Sequence, residues 1–180
     1  LLFTEQARRR AVELGVADRV TFLHGDAAGY VADEKVHVAA CVGATWIGGG
    51  VAGTLELLGR SLRPGGIILI GEPYWRKLPS TEDLAKGCLA HSLSDFLLLP
   101  ELLASFGHQG YDVVEMVLAD QDGWDRYEAA KWLTMRRWLE TNADDELAAE
   151  VRAKLTSEPE RYATTTREYL GWGVFALMPR

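Results

Sequence analysis

Short apolar runs alternate with helical patterns along this chain, and that alternation constrains its fold more than any other feature. The runs at 36–42 (VHVAACV), 67–70 (IILI), 111–118 and 172–178 (WGVFALM) have the length and composition of strands. Between them, apolar residues recur at three- and four-residue spacing, which is typical of helices. Strands that are apolar at successive positions are usually buried on both faces. The sequence therefore predicts an open, doubly wound, mostly parallel α/β sheet with helices on both faces.

The pattern also places the individual elements. Strands are predicted at 20–23, 36–42, 67–70, 111–118 and 172–178. Helices are predicted at 4–14, 51–62, 81–107 with a break near Pro100, 123–141, 145–157 and 159–170. Thr4 and Gly15 are suited to begin and end the first helix, and Pro159 suits the first turn of the last one. The sequence RPGG at 63–66 predicts a turn.

Charge and composition exclude several classes of partner. The 180 residues carry a net charge of −7, and the basic residues form no extended track that could follow a phosphate backbone. No apolar stretch reaches the ~20 residues that a membrane-spanning helix needs. The two cysteines are Cys41, inside an apolar run, and Cys88. We therefore expect a single cytoplasmic domain that binds neither nucleic acid nor membrane.

Polar or small residues follow several predicted strands, where ligands of open α/β sheets bind. The segments to inspect are 24–27 (HGDA), 43–46 (GATW) and 72–75 (EPYW). Asp26 is the first carboxylate after the strand at 20–23. A carboxylate offers only hydrogen-bond acceptors, so it selects a donor such as an amine. The alternative is that Asp26 caps a turn, which is a common role of aspartate.

Three segments together give a resemblance to a known family. ARRRAVELGVADRVTFLHGDA, VHVAACVGATW and LLGRSLRPGGIILIGEPYW, in this order and spacing, resemble a class I S-adenosylmethionine-dependent methyltransferase with a Rossmann-like fold. The resemblance covers residues 3 to 75 continuously and is looser beyond them. It implies one methyltransferase domain over residues 1–180, a last strand that is antiparallel, and a helical insertion or cover at about 120–170. It also implies methyl transfer from S-adenosylmethionine to a small-molecule acceptor.

The resemblance implies a cofactor site on the first two of these segments. The carboxylate of Asp26 would accept a hydrogen bond from the adenine amino group, and the N–H of Ala27 would face a ring nitrogen. Trp46 would flank the adenine or the methyl-donor end, although core packing explains it equally well. The expected cofactor-binding residues are Gly25, Asp26, Ala27, Val42, Gly43 and Trp46.

The acceptor side is expected to follow the strand at 67–70. Glu72 could hold a cationic group, and Tyr74 could orient or deprotonate the acceptor. Trp75 and Trp138 are further candidate substrate contacts, and His91 is a weaker candidate base. Trp138 shares one face of the 123–141 helix with other aromatic residues, and this stripe suits either a core or a wall over the acceptor. The scattered histidines have no metal-ligand spacing, so no metal site is expected.

Two elements of the family pattern are missing from the sequence. The family carries a glycine-rich loop after its first strand and an acidic residue after its second, and neither is found here. We therefore expect the first strands of the fold to be absent from this chain. Without them, the strand at 20–23 has no neighbour linking it to the strand at 36–42. An upstream segment of the same protein, or another copy of the chain, is expected to complete the sheet.

Two other functions remain open at this stage. GGGVAG at 48–53 matches the G-x-G-x-x-G pattern of NAD(P)-dependent Rossmann oxidoreductases, and Glu72 follows at about the right distance. However, four residues separate Gly43 from the first of these glycines, whereas the pattern should begin where the strand stops. The other alternative is a non-catalytic, methyltransferase-like binding module.

Overall fold

The computed structural model describes residues 2–180. Its strands are β1 (Val36–Val42), β2 (Leu62–Trp75), β3 (Tyr111–Leu118) and β4 (Leu170–Pro179). Its α-helices are α1 (Leu2–Glu13), α2 (Val51–Gly59), α3 (Glu82–Gly87), α4 (Leu99–His108), α5 (Gln121–Thr141), α6 (Ala148–Thr164) and α7 (Thr166–Tyr169). Short 3-10 turns lie at Ala17–Arg19, Ala27–Gly29, Thr45–Gly48 and Leu93–Asp95. None of these helices combines the length and apolar character needed to cross a bilayer.

The strands form one mixed sheet in the order β1-β2-β4-β3. β1 pairs with β2 in parallel, and β4 is antiparallel to both β2 and β3. Consequently β1, β2 and β3 point the same way, and the reversed β4 lies between two of them. The prediction of an antiparallel last strand is confirmed. The sheet is less parallel than expected, because the insertion of β4 makes two of its three pairings antiparallel.

The main core lies on one face of the sheet, beneath α2 and α4. Leu55 of α2 and Phe106 of α4 are almost fully buried, and Phe106 packs against Phe175 of β4 with ring centroids 5.2 Å apart. Each large apolar side chain buried in this way stabilises the fold by about 1.5–3 kcal/mol. The other fully buried members of this core are Ile68, Ile70, Leu102 and Leu177.

The opposite face of the sheet remains partly exposed. Within β1, Ala39 and Cys41 are buried, whereas Val38 and Val42 are 49% and 55% exposed. β1 is therefore covered on one face, and the expectation that it is buried on both is wrong for the described residues. Because α2 and α4 lie on the same face, the expected cover of helices on both faces is not confirmed within residues 2–180.

The strand predicted at 20–23 does not form in the described structure. Its backbone begins in the extended conformation, with φ −125° and ψ 124° at Val20, but it belongs to none of the four paired strands. A strand is stable only when its N–H and C=O groups pair with a neighbour, and no strand lies beside this segment within residues 2–180. The extended conformation at Val20 agrees with the amino-acid pattern, but the predicted strand is not paired.

Three further boundaries differ from the sequence prediction. The 63–66 turn is a bulge inside β2, because Leu62 pairs with Val36 while Ile67 pairs with Val38. Pro159 lies within α6 rather than beginning a separate helix. Pro100 lies in the first turn of α4, where its missing N–H costs no helical hydrogen bond, so it begins a helix instead of breaking one.

Along the chain, helices α5, α6 and α7 follow β3 and precede β4, where the sequence predicts a helical cover. A second apolar cluster joins this region to the end of β2. It consists of Trp75, Ala85, Cys88, Ala90 and Leu170, with Trp124 of α5 and Tyr169 of α7 packed against it.

Candidate functional site

Asp26 lies in the loop that follows the unpaired segment at 20–24, and one of its carboxylate oxygens already accepts a hydrogen bond. Its Oδ1 accepts a hydrogen bond of 2.9 Å from the N–H of Ala28, so Asp26 caps the 3-10 turn at Ala27–Gly29. Within residues 2–180, its other oxygen has no hydrogen-bond partner, and neither has the N–H of Ala27. A hydrogen-bond acceptor on Asp26 and a hydrogen-bond donor on Ala27 therefore lie next to each other and are free to bind a ligand.

A cavity of about 500 Å³ separates this loop from the sheet. Gly25, Asp26 and Ala27 line one side, and Val38 of β1 lies on another. Its remaining lining is mostly apolar: Leu23, His24, Tyr30, Ala32, Val36, Ala39, Ala40, Ile47, Leu57, Leu58 and Ser61. A cavity with apolar walls and a few polar groups at one side is typical of a small-molecule site.

The indole ring of Trp172 lies against the carboxyl end of β1. Trp172 is not among the site residues predicted from the sequence. A Cβ atom added at Gly43 would lie 3.2 Å from Cη2 of Trp172, and one added at Gly71 would lie 3.0 Å from Cζ2 of the same ring. Gly43 also has φ +74°, and its N–H donates to the carbonyl of Gly71 at 3.1 Å. The two glycines therefore let Trp172 lie directly against the strand ends. Val42 lies beside this contact and is half-exposed.

Trp46 follows β1 within the 3-10 turn at Thr45–Gly48, and its side chain is 77% exposed. It is not part of the core, so the packing explanation considered from the sequence is not favoured. Its neighbour Ile47 lines the cavity. A contact between Trp46 and the cofactor remains a prediction.

Glu72 is held near the end of β2 by two threonines. The hydroxyl of Thr45 donates to Oε2 of Glu72 at 2.8 Å, and the hydroxyl of Thr54 donates to the carbonyl of Thr45 at 2.7 Å. Burial raises the pKa of the Glu72 carboxyl above its ordinary value, and the Thr45 hydrogen bond partly offsets this. The carboxylate is thus fixed in position and only half-buried.

Tyr74 and Trp75, the two aromatic candidates after Glu72, are both buried. Tyr74 is 5% exposed and belongs to the main core, and its ring lies so close to Gly171 that a Cβ there would be 2.3 Å from Cζ. Trp75 is 1% exposed, and its Nε1–H donates to the carbonyl of Leu93 at 2.9 Å. These contacts favour packing roles, so acceptor contacts by either residue remain predictions.

His91 and Trp138 lie apart from the end of β2. His91 is exposed in the loop after α3, and its backbone N–H donates to the carboxylate of Asp95 at 2.7 Å. Trp138 is partly buried on α5. The structure shows no hydrogen bond from either side chain to Glu72 or Thr45 within residues 2–180.

Other aromatic residues of α5 pack within the helical region. Trp132 lies 5.9 Å from the ring of Tyr162 on α6, and Trp124 lies 6.1 Å from Tyr127, both in edge-to-face geometry. The aromatic stripe thus holds α5 and α6 together, which favours the core interpretation for this part of it.

The G-x-G-x-x-G match at Gly48, Gly50 and Gly53 has a structural explanation. A Cβ at Gly53 would lie 2.0 Å from the carbonyl oxygen of Gly48, and one at Gly48 would lie 2.3 Å from the backbone N of Thr54. The glycines therefore allow the 3-10 turn and the first turn of α2 to approach within backbone contact. They also begin at the end of that turn, several residues after β1 stops, which does not suit a dinucleotide fingerprint.

Comparisons with known proteins identify close relatives. No family model matches the chain. The chain is 70% identical over 179 residues to the uncharacterized protein YjhP of Escherichia coli K12, covering 99% of this chain and 72% of YjhP. It is 84% identical to a crystallised SAM-dependent methyltransferase of Geobacter sulfurreducens, with a TM-score of 0.95. It is 78% identical to another from Thiobacillus denitrificans, with a TM-score of 0.94.

Both crystallised methyltransferases are complexes with S-adenosyl-L-homocysteine, and in each case the match covers 99% of this chain and 72% of the relative. The sequence resemblance and these comparisons agree in family and in fold. The chain belongs to the family of S-adenosylmethionine-dependent methyltransferases.

Proposed function

We propose that the protein transfers a methyl group from S-adenosylmethionine to a small-molecule acceptor. The observation that carries this proposal is the high identity to two methyltransferases that bind S-adenosylhomocysteine, the product left when the cofactor gives up its methyl group. The helical region α5–α7 would form the cover of a single methyltransferase domain. The net charge of −7 argues against a polyanionic acceptor such as nucleic acid.

The residues around the cavity suit the cofactor. The free oxygen of Asp26 can accept from an adenine amino group, and the free N–H of Ala27 can donate to a ring nitrogen. Gly25 at the loop and Val42 and Gly43 at the end of β1 are further proposed cofactor contacts. When bound, S-adenosylmethionine supplies an electrophilic methyl group. The protein then has mainly to hold and orient the acceptor, so no catalytic triad is required.

Calorimetric titration tests the cofactor assignment. We expect S-adenosylhomocysteine to bind with one site per chain, and NADH to give no heat and no fluorescence change. Binding of NADH without S-adenosylhomocysteine would overturn the proposal in favour of the oxidoreductase. If S-adenosylhomocysteine binds but radiolabelled methyl is never transferred to any compound of a metabolite extract, the protein is a non-catalytic binding module.

We further propose that an additional strand pairs with the free edge of β1. This edge carries unpaired backbone groups, and the half-exposed Val38 and Val42 lie on the same strand. The unpaired segment at 20–24 lies across the cavity from it. The additional strand would come from an upstream segment of the same protein or from another copy of the chain.

Hydrogen exchange tests this pairing. In the purified protein, the amides of β1 that do not face β2 are expected to exchange as slowly as those of β2, because a paired N–H is protected. If the exchange of the outer β1 amides is as fast as that of an exposed loop, the edge is free and the proposal is wrong. Sedimentation at several concentrations then separates the two sources, because only pairing with a second copy makes the sedimenting mass rise with concentration.

A further inference from the structure

The carboxylate of Glu72 has no positively charged partner within residues 2–180. It forms none of the ion pairs found within residues 2–180, and its one side-chain hydrogen bond comes from the uncharged hydroxyl of Thr45. A carboxylate withdrawn from water is normally paired with a cation, as Glu128 is with Lys131 Nζ at 2.8 Å. The Glu72 carboxylate is half-buried and receives the Thr45 hydrogen bond, but no cation among the described residues balances its charge.

The position of this carboxylate is fixed by a chain of contacts. Thr45 donates to Glu72, and Thr54, which is fully buried, fixes the carbonyl of Thr45. Thr54 is itself held by the close approach of Gly48, whose Cβ would fall 2.5 Å from the Thr54 hydroxyl. A side chain fixed in this way is preorganised, and preorganisation strengthens binding because little freedom is lost when the ligand arrives.

The surroundings of Glu72 also suit an organic cation. Glu72 lies near the carboxyl end of β2, the edge at which open α/β sheets bind ligands. A carboxylate at that edge without a cation beside it among the described residues can bind an alkylammonium group through charge-assisted hydrogen bonds.

We propose that Glu72 and Thr45 form the subsite for a cationic, amine-type group of the methyl acceptor. This inference rests on the proposed function and narrows the acceptor class to compounds carrying an ammonium group. Uncharged acceptors and anionic ones, such as free carboxylates, would be disfavoured by the fixed negative charge. Thr45 acts as a positioning residue, because it orients the carboxylate rather than contacting the ammonium group.

The test measures binding of small cations to the protein saturated with S-adenosylhomocysteine. The probes are methylammonium, tetramethylammonium and choline, each compared with an uncharged isostere, which for choline is 3,3-dimethylbutan-1-ol. Ligand-observed NMR gives the dissociation constants. We expect at least one cation to bind about tenfold more tightly than its isostere, which is the size of effect that one charge-assisted contact produces.

The variant Glu72→Gln keeps the size of the side chain and an oxygen for Thr45 but removes the charge. It is expected to abolish the preference for the cation while leaving the affinity for S-adenosylhomocysteine unchanged. The matched control Glu34→Gln removes an exposed carboxylate elsewhere and should retain the preference. The inference is overturned if no probe shows a preference, or if the preference survives in Glu72→Gln. Failure of S-adenosylhomocysteine to bind the wild-type protein would instead overturn the proposed function.

A thermal unfolding measurement checks that the Glu72→Gln variant is folded. Because the pKa of Glu72 is raised in the folded state, the folded protein binds this proton more tightly than the unfolded chain does. The associated stability is therefore full below the ordinary pKa of 4.5 and is lost as the pH rises through the raised value. At pH 7 Glu72→Gln should thus melt no lower than the wild type. The other titratable group on which Glu72 acts is Cys41, whose thiol pKa is raised mainly by burial.

Discussion

Alanine in place of Gly53 is expected to destabilise the protein by about 2 kcal/mol or more. The new Cβ would lie 2.0 Å from the carbonyl oxygen of Gly48, and both sides of that contact are held by backbone. Overpacking of this kind costs about 3 kcal/mol at the upper end, whereas alanine gains only about 1 kcal/mol of helix propensity over glycine. For a chain of this size the melting temperature should fall by about 4–8 °C.

Gly29→Ala is the matched control for this substitution. Gly29 ends an exposed 3-10 turn, and nothing lies within 4 Å of the position that its Cβ would occupy. The free energy of unfolding of Gly29→Ala should differ from that of the wild type by less than about 1 kcal/mol. If Gly53→Ala melts at the same temperature as Gly29→Ala, the close approach of the Gly48 carbonyl to residue 53 does not require a glycine there. The glycines at 48–53 would then need another explanation, such as a ligand contact.

Asn in place of Asp26 is expected to weaken the binding of S-adenosylhomocysteine by about 100-fold. The Asn oxygen can accept from Ala28 as Asp26 Oδ1 does, but its NH₂ group would then meet the adenine amine, donor against donor. If the side-chain amide of the variant flips so that its oxygen faces the adenine amine, the hydrogen bond from the Ala28 N–H is lost instead. Losing a hydrogen bond to a charged group costs about 1.5–3 kcal/mol, and 1.4 kcal/mol corresponds to tenfold in affinity.

Calorimetry on Asp26→Asn and on Asp33→Asn gives the comparison. Asp33 is an exposed acidic residue on the same stretch of chain, so its variant removes the same charge without touching the proposed ligand contact. The affinity of Asp33→Asn should remain within about threefold of the wild type, because a single exposed charge contributes little. Equal affinities for the wild type and Asp26→Asn would mean that Asp26 serves only as a turn cap.

The sequence was most informative where a feature depends on local pattern. The strands at 36–42 and 111–118 and the helix ending at Thr141 are found with the predicted or nearly predicted bounds. Apolar runs and helical spacing carry this information directly. The antiparallel arrangement of β4 came from the family resemblance rather than from its residues, and the structure confirms it.

Features that depend on distant residues were not accessible from the sequence. The segment at 20–23 has the residues of a strand, but pairing depends on a neighbour that local pattern cannot show. Trp172 appears as one more residue of an apolar run, and only the register of β4 against β2 brings its ring over Gly71 and Gly43. Similarly, Thr45 became part of the candidate site because its hydroxyl reaches Glu72, 27 residues further along the chain.

The position of β4 also bears on how the protein folds. β3 has no contact with β2 in the sheet order, so its only pairing partner is the strand that follows all others along the described chain. Pairs such as Ile68 with Leu177 close very large loops, and such non-local pairing slows folding. During synthesis on the ribosome, β3 must therefore wait with both edges unpaired until residues 170–179 have emerged. This interval is when the nascent chain is most exposed to aggregation.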